Sequence, residues 1–109
     1  MTERSVVITG MGVASPIGHS PSQVHTSLTH GQHGIVSMPA WDHIPDLGTR
    51  VAGVVQGLNL RKRWPRKRVR SMGRLAKLAA YATEEAVTVA FGSVEAARAL
   101  FDSGRCALA

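Results

Sequence analysis

The pattern of apolar and polar residues divides the chain into short strands near its beginning and helices towards its end. The unalternating apolar run from Val6 to Ile8 predicts a strand over residues 5–9 that is covered on both faces. Gly10 and Gly12 follow it, and they indicate tight turns or close packing of the backbone. Residues 15–18 are predicted to form a loop because they include both a proline and a glycine.

Clear signals for the beginning and end of a helix bracket the next segment. Ser20 is a favourable N-cap, and Gln23 completes a Ser-x-x-Gln capping box with it. Gly31 suits the position just past a helix end. The sequence therefore predicts a helix from Pro21 to about His30.

The middle of the chain is predicted to be irregular, then extended, then helical. Residues 32–48 contain several prolines and glycines and are expected to be irregular, whereas residues 50–55 predict a short strand. A long helix is predicted from Pro65 to about Ala90, with apolar residues on nearly all of its sides. Such a helix is usually buried by several neighbours, and 109 residues supply few. We therefore expect this sequence to be part of a larger protein.

The last part of the chain predicts a short helix, a turn and a strand. Ser93 is expected to cap the helix, which runs to Phe101. Residues 102–104 predict the turn, and residues 105–109 predict the beginning of a strand.

Composition restricts the class of protein. A length of 109 residues allows at most one ordinary domain, and a hydrophobic content of 44% is normal for a globular protein. The segment from Leu75 to Val89 is the most apolar, but it is interrupted by charges and too short to cross a bilayer. No export signal is recognisable at the N-terminus, so we expect a cytoplasmic protein. The single Cys106 fits a reducing compartment and is expected to be a buried, inert thiol.

Two familiar kinds of site are disfavoured by spacing. The two glycines at 10 and 12 lack the third glycine of a dinucleotide-binding loop, and residues 32–41 contain no acidic residue to hold a ribose. His30 and His33 lie on either side of Gly31 and do not share a regular helical face. The other three histidines show no recognised ligand spacing, so no metal site is expected.

A strongly basic run is the clearest functional signal. Seven of the ten residues from 61 to 70 are Lys or Arg, and the net charge is +6. On a helix that begins at Pro65, four cations share one face: Arg66, Arg70, Arg74 and Lys77. Like charges at this spacing cost about 0.2–0.5 kcal/mol per pair, and cations in a first turn oppose the helix dipole by about 0.3–1 kcal/mol each. This placement favours a docking site for an anion over a merely solvated face.

Two kinds of anionic partner fit these charges. Nucleic acid is the general candidate for such a cluster, but Trp64 is the only aromatic residue nearby and no helix-turn-helix or zinc-finger spacing accompanies it. An acidic protein surface fits equally well. The residues themselves leave both possibilities open.

Three segments together resemble one family, and they occur in the family's order. Residues 6–18 resemble the first strand and turn of the β-ketoacyl-acyl carrier protein synthases, the condensing enzymes of fatty acid and polyketide synthesis. The helix at 21–30, with its glycine-rich exit, and the arginine-rich segment 66–74 resemble the segments that follow. The chain departs from the family at residues 89–92, which lack the usual acidic residue, and in the basic residues 61–63 upstream.

The resemblance implies a fold and a reaction. The fold class is α/β, and residues 1–109 would be the incomplete N-terminal portion of a thiolase-like layered α/β/α/β/α fold. The reaction is an acyl transfer followed by decarboxylative Claisen condensation of acyl and malonyl groups carried on acyl carrier protein. In the family the nucleophilic cysteine and both histidines lie beyond the position of Ala109, so no catalytic residue is expected here. We expect the isolated chain to be inactive and poorly folded.

The resemblance also implies a docking site. Arg66, Lys67 and Arg70 match positions that dock the acidic carrier protein and hold the phosphate end of its phosphopantetheine arm. It implies no bound cofactor, and a homodimer for the full-length enzyme. Two alternatives remain at this point: a small basic nucleic-acid-binding module and a non-catalytic synthase-like partner.

Overall fold

A computed structural model describes residues 2–105 and contains helices together with one small sheet. In chain order the elements are α1 Pro21–Thr29, β1 Ile35–Ser37, a 3₁₀ helix Pro39–Trp41, β2 Val51–Gly53, α2 Arg66–Val69, α3 Arg74–Phe91 and α4 Val94–Asp102. The strand predicted at 105–109 lies, apart from its first residue, outside the described residues. Cys106 lies outside them as well.

Helix α1 confirms the helix predicted after Ser20. The hydroxyl of Ser20 accepts a hydrogen bond of 3.2 Å from the backbone N–H of Gln23, as an N-cap should. The Gln23 side chain accepts in return from the backbone N–H of His19 at 2.8 Å, one residue earlier than in a standard capping box. Gly31 has φ of 66° just past the helix end, a conformation that costs glycine little.

The strand predicted over residues 5–9 is wrong for the structure. Val6 and Ile8 are 97% and 82% exposed, and within residues 2–105 the paired strands are β1 and β2 alone. A strand needs a neighbouring strand to satisfy its backbone N–H and C=O groups. The described part of the chain brings none to this segment, so an apolar, β-branched sequence stays unpaired.

The glycines that follow pack against α3. A Cβ atom on Gly12 would overlap the backbone carbonyl of Ala82, and one on Gly10 would lie 2.9 Å from the backbone N of Ala90. The absence of side chains on one partner and the small side chains on the other let the two backbones approach closely. The prediction of close packing at these glycines is confirmed.

The sheet contains one predicted and one unpredicted strand. β2 confirms the strand predicted within residues 50–55, although it is shorter. It pairs antiparallel with β1, where Ile35 lies opposite Gly53 and Ser37 opposite Val51. The prediction that residues 32–48 are irregular is therefore wrong over β1 and over the 3₁₀ helix Pro39–Trp41.

The long helix predicted from Pro65 to about Ala90 is confirmed over α2 and α3 but is wrong as one continuous helix, because residues 70–73 divide it in two. Helix α2 ends at Val69, and α3 begins after Gly73, whose ψ of 172° is extended. Glycine is a poor helix former, and the crowded cations of the preceding turn weaken helix formation further. The helical spacing is therefore interrupted between Val69 and Arg74, so cations before and after the break need not share one face.

Helix α4 confirms the helix predicted after Ser93. The Ser93 hydroxyl accepts a hydrogen bond of 3.0 Å from the backbone N–H of Ala96. Gly92, with φ of 85°, turns the chain so that α4 packs back on α3. Ala97 of α4 is fully buried, with 0% exposure.

The core is small for the length of the chain. The buried apolar side chains of the described residues are those of Leu60, Val69, Tyr81 and Ala97. The accessible surface is 8964 Å², whereas a compact protein of 11.6 kDa exposes about 5,800 Å². The radius of gyration of 17.9 Å likewise exceeds the value of about 13 Å for a compact domain of this length.

Helix α3 carries several of the apolar side chains that remain exposed. Tyr81 is its buried residue, while Leu75 and Val89 are 82% and 66% exposed. A helix that is apolar on most sides is usually covered by several neighbours, and within residues 2–105 α4 is the one helix that packs on it closely. No helix in this part of the chain has the length and apolar content needed to span a bilayer.

Candidate functional site

Residues 61–70, which we call the basic segment, are bonded to the middle of α3 through Arg63 and Trp64. The indole Nε1 of Trp64 donates a hydrogen bond of 2.7 Å to the Glu84 carboxylate. The Arg63 guanidinium lies 3.6 Å from the Glu84 carboxylate and donates to that of Glu85 at 2.5 Å. Two neighbouring side chains thus hold the segment before α2 against two neighbouring carboxylates of α3. We call these four residues the clamp.

Arg63 of the clamp also contacts the ring of Tyr81, and each of the two residues changes the pKa of the other. The Arg63 guanidinium carbon lies 4.5 Å from the ring centre of Tyr81, within cation–π distance. Burial raises the pKa of the Tyr81 phenol, the Glu85 charge raises it further, and Arg63 opposes both. Burial alone lowers the pKa of Arg63, but its bond to Glu85 and the charges of Glu84 and Glu85 outweigh it and raise that pKa. Arg63 is therefore a structural cation.

The remaining cations of the region converge on one cavity. It has a volume of about 480 Å³ and is lined by Arg61, Arg66, Val69, Arg70 and Lys77. We call it the basic cavity. Its lining comes from the turn before α2, from α2 and its C-cap, and from the first turn of α3. Val69 is 6% exposed and anchors the short helix α2, so three arginines and a lysine surround a partly enclosed space.

The positive charge of the basic cavity is not neutralised from within. No carboxylate belongs to its lining, and among residues 2–105 the cations in ion pairs are Arg50 and Arg63. Like charges in such proximity repel one another, and the repulsion grows as water is excluded. An arrangement of this kind is stabilised when an anion binds between the cations.

The structure brings together two of the three predicted docking residues. Arg66 and Arg70 line the basic cavity, whereas Lys67 is exposed on α2 outside it. Arg74 was predicted to share the face of Arg66 and Arg70, and that prediction is wrong. Its guanidinium instead donates to the backbone carbonyl of Val55 at 2.6 Å, because the break before α3 turns it away.

The sequence pattern placed one further residue of this cavity, Lys77, on the anion-docking face, but it did not indicate Arg61. Lys77 had been placed on the same helical face as Arg66 and Arg70, but Arg61 had been noted only as an upstream extension of the basic run. Its approach to the cavity depends on the turn that the clamp holds in place. The one sequence signal for Arg61 was that the basic run extends upstream through residues 61–63.

Three of the five histidines form hydrogen bonds with backbone atoms. The ring Nε2 of His19 lies 2.5 Å from the backbone carbonyl of Gln56, and His30 Nδ1 lies 2.7 Å from the carbonyl of Thr26. The ring Nδ1 of His33 accepts a hydrogen bond of 3.2 Å from the backbone N–H of Ile35. Within residues 2–105 no three His, Cys, Asp or Glu side chains are grouped so that they could hold a metal ion.

A larger concavity of about 770 Å³ lies between α3 and α4. Small and apolar residues such as Ala80, Val87 and Phe101 form much of its lining. Its charged residues, Arg68, Glu84 and Glu95, are of mixed sign, so it does not concentrate charge as the basic cavity does. The basic cavity and the adjoining Lys67 are therefore the candidate functional site.

The sequence of this chain is similar to those of known enzymes. Residues 3–99 match the family described as "Beta-ketoacyl synthase, N-terminal domain". The 3-oxoacyl-[acyl-carrier-protein] synthase 2 of Vibrio cholerae serotype O1 is 38% identical over 72 residues, which are 66% of this chain and 17% of the relative. The enzyme of the same name from Staphylococcus aureus strain COL is 33% identical over 84 residues, covering 77% of this chain and 20% of the relative.

A solved structure of the same family is also similar to this chain. The crystal structure of a β-ketoacyl synthase from Burkholderia phymatum STM815 superposes with a TM-score of 0.73 at 36% identity, covering 82% of this chain and 22% of the other. The predicted fold class, the α/β fold of the thiolase-like synthases, is confirmed. The chain spans about a fifth of the length of these relatives. By the extent of these matches, the chain belongs to the β-ketoacyl synthase family, and residues 3–99 match its N-terminal domain.

Proposed function

We propose that these residues supply the carrier-protein docking surface of a β-ketoacyl-acyl carrier protein synthase. Such an acyltransferase joins acyl and malonyl groups by decarboxylative Claisen condensation. The observation that carries the proposal is the exposed group of Arg66, Lys67 and Arg70, which make no ion pair within residues 2–105. The family match and the names of the relatives support the choice of partner.

The geometry suits two kinds of contact with an acidic carrier protein. Lys67 stands outside the basic cavity, where a flexible ammonium group meets carboxylates on a protein surface. Arg66 and Arg70 line the cavity, where forked guanidinium donors suit the phosphate of a phosphopantetheine arm. Opposite charges on the two proteins also raise the rate of encounter.

We propose that residues other than those described above carry out the condensation itself. The family uses a cysteine thiolate that takes the acyl group from one carrier protein. Loss of CO₂ from the malonyl group then leaves a carbanion that attacks the acyl thioester and releases the cysteine. Two histidines assist the loss of CO₂, and backbone N–H groups stabilise the oxyanion. No cofactor enters this scheme, and a homodimer in the cytoplasm belongs to the proposal for the full-length enzyme.

A direct assay tests whether the 109 residues are inactive by themselves. The purified chain is incubated with acyl-carrier protein and malonyl-carrier protein, and both CO₂ release and formation of the ketoacyl thioester are followed. We expect neither. Turnover above that of a sample without protein would show that catalytic groups lie within these residues.

A binding experiment tests the docking surface. The affinity of the chain for a holo acyl carrier protein is measured beside that of Lys67→Glu and Arg70→Glu. Each reversal of charge is expected to weaken binding by about tenfold or more at low salt, since a hydrogen-bonded charge pair is replaced by repulsion. Arg98→Glu, on α4 and outside the basic cavity, is the matched control and is expected to bind almost as the parent does.

The same converging cations keep nucleic acid as the second candidate partner. Duplex and single-stranded DNA are therefore tested with the same four proteins at equal salt concentration. If both charge reversals abolish DNA binding while carrier protein never binds, the docking proposal is wrong and the nucleic-acid module is favoured. If carrier protein binds and condensation stays absent when these residues are joined to the rest of their polypeptide, the non-catalytic partner is favoured.

A further inference from the structure

The basic cavity carries more charge than the proposed docking partner neutralises. Its lining contains four cations, Arg61, Arg66, Arg70 and Lys77, and no carboxylate. The phosphate of a phosphopantetheine arm is a diester and has a single negative charge. Carboxylates on a carrier protein would lie outside the concave space and would pair with cations such as Lys67. Most of the charge inside the cavity would then remain uncompensated.

The shape of the cavity suits a small, highly charged ligand. About 480 Å³ is within the range of roughly 300–1,000 Å³ of small-molecule sites. The cations approach from several elements rather than from one helix face, so their donors surround the space. Three of the four are arginines, whose planar forked donors bind phosphate oxygens in pairs.

The clamp preorganises this arrangement. Arg63 and Trp64 hold the chain between Arg61 and Arg66 against Glu84 and Glu85 of α3. The carboxylates nearest in sequence to Lys77 are thus occupied by partners of their own. They are not free to neutralise the basic cavity, so its cations remain available to a ligand.

We propose that the basic cavity binds the multiply charged phosphate group of a small molecule of the diphosphate or triphosphate class, and that this ligand competes with carrier-protein docking. The competition rests on the proposed function, whereas the binding does not. A terminal phosphate carries about 1.5 to 2 negative charges at pH 7, so two linked phosphates match the four cations far better than one diester does.

Calorimetric titration with inorganic pyrophosphate tests the binding, with inorganic phosphate and sulfate at equal ionic strength as comparisons. The 109-residue chain is expected to bind one pyrophosphate, and to bind it at least about tenfold more tightly than either comparison ion. Arg61→Gln and Lys77→Gln are each expected to weaken binding about tenfold, the loss expected for a hydrogen bond between charged groups. Arg98→Gln, of equal charge change, is expected to leave the affinity within about twofold.

The outcomes separate this inference from the docking proposal. Equal weakening by Arg98→Gln, or binding that does not saturate at one ligand, would mean general charge attraction and would overturn the inference. If pyrophosphate binds as expected but carrier protein does not bind at all, the docking proposal fails while the phosphate site stands. If carrier protein binds and pyrophosphate neither binds nor displaces it, the phosphate site alone is wrong.

A second protein keeps the test independent of the stability of the short chain. These residues replace the matching part of the Burkholderia phymatum synthase, which superposes on 82% of the chain. The same titrations and the same three substitutions are made in this chimera, and the circular dichroism of each variant is compared with that of its parent. A folded chimera that does not bind pyrophosphate contradicts the inference directly.

Discussion

The indole Nε1 of Trp64 donates a hydrogen bond of 2.7 Å to the Glu84 carboxylate, and this bond joins the basic segment to the middle of α3. Twenty residues separate the two along the chain. Because Arg63 pairs with the same carboxylate, the segment is fixed at two adjacent positions. The positions of Arg61 and Arg66 around the basic cavity depend on this connection.

Replacing Trp64 with Phe keeps the ring and removes the donor. We expect Trp64→Phe to lower the free energy of unfolding by about 1–2 kcal/mol, since the lost bond is to a charged, partly exposed carboxylate. Urea denaturation followed by circular dichroism measures the change. Trp41→Phe, in the 3₁₀ helix, is the control, because its indole has no hydrogen-bond partner among residues 2–105. Equal effects of the two substitutions would contradict the role given to Trp64.

The approach of Gly12 to α3 leaves no room for a methyl group. A Cβ atom there would overlap the carbonyl oxygen of Ala82, so the backbones must separate in Gly12→Ala. We expect a loss of about 1–3 kcal/mol in the free energy of unfolding, as for other overpacked contacts. Gly48→Ala is the matched control because its added Cβ would meet nothing within 4 Å, and it is expected to stay within about 1 kcal/mol of the parent. A Gly12→Ala protein as stable as the control would exclude the close approach.

Local signals in the sequence predicted the capped helices well. Ser20 and Ser93 each accept the backbone N–H bond expected of an N-cap, because a cap depends on residues within one turn. The strand predicted at 5–9 does not form, because a strand depends on a partner distant in sequence, which a local apolar pattern does not reveal. The helix break at Gly73 was missed because one glycine opposed a long helical pattern on both of its sides.

The candidate site was predictable in charge but not in geometry. Arg66 and Arg70 were found because their crowding is unfavourable without an anion, which is visible in the sequence. Lys77 was placed on the same face by helical spacing, but the approach of Arg61 to this cavity was not predicted, since it depends on the clamp between Trp64 and Glu84. Such tertiary contacts between charged and aromatic groups leave no periodic pattern in the amino-acid sequence from which they could be predicted.

Tyr81 predicts a loss of stability at alkaline pH. Burial raises the pKa of its phenol above the ordinary value of 10.0, and the Glu85 charge adds to this. The folded state therefore holds the proton more tightly than the unfolded state does. The resulting stabilisation is complete below about pH 10 and is lost as the pH rises from there through the folded-state pKa.

The single tyrosine of the chain allows this pKa to be measured directly. Ultraviolet absorbance of tyrosinate is followed during an alkaline titration, in buffer and again in concentrated urea. The midpoint in buffer is expected above that in urea, and Tyr81→Phe is expected to show a smaller fall of unfolding free energy above about pH 10. Coincident midpoints in buffer and urea would contradict the burial of the phenol.

The exposed segment from Val6 to Ile8 predicts self-association of the 109-residue chain. Val7 is 72% exposed, and the segment is apolar and without a strand partner in the described part of the chain. Unpaired apolar edges of this kind pair with one another, and a lysine placed on them prevents it. Sedimentation velocity over a concentration series is expected to show association of the parent and its reduction in Val7→Lys. Leu75→Lys, at an 82% exposed position of α3, is the control and should associate as the parent does, since it leaves the segment unchanged. If both substitutions reduce association equally, general repulsion between the basic chains is the cause, and the segment is not the contact.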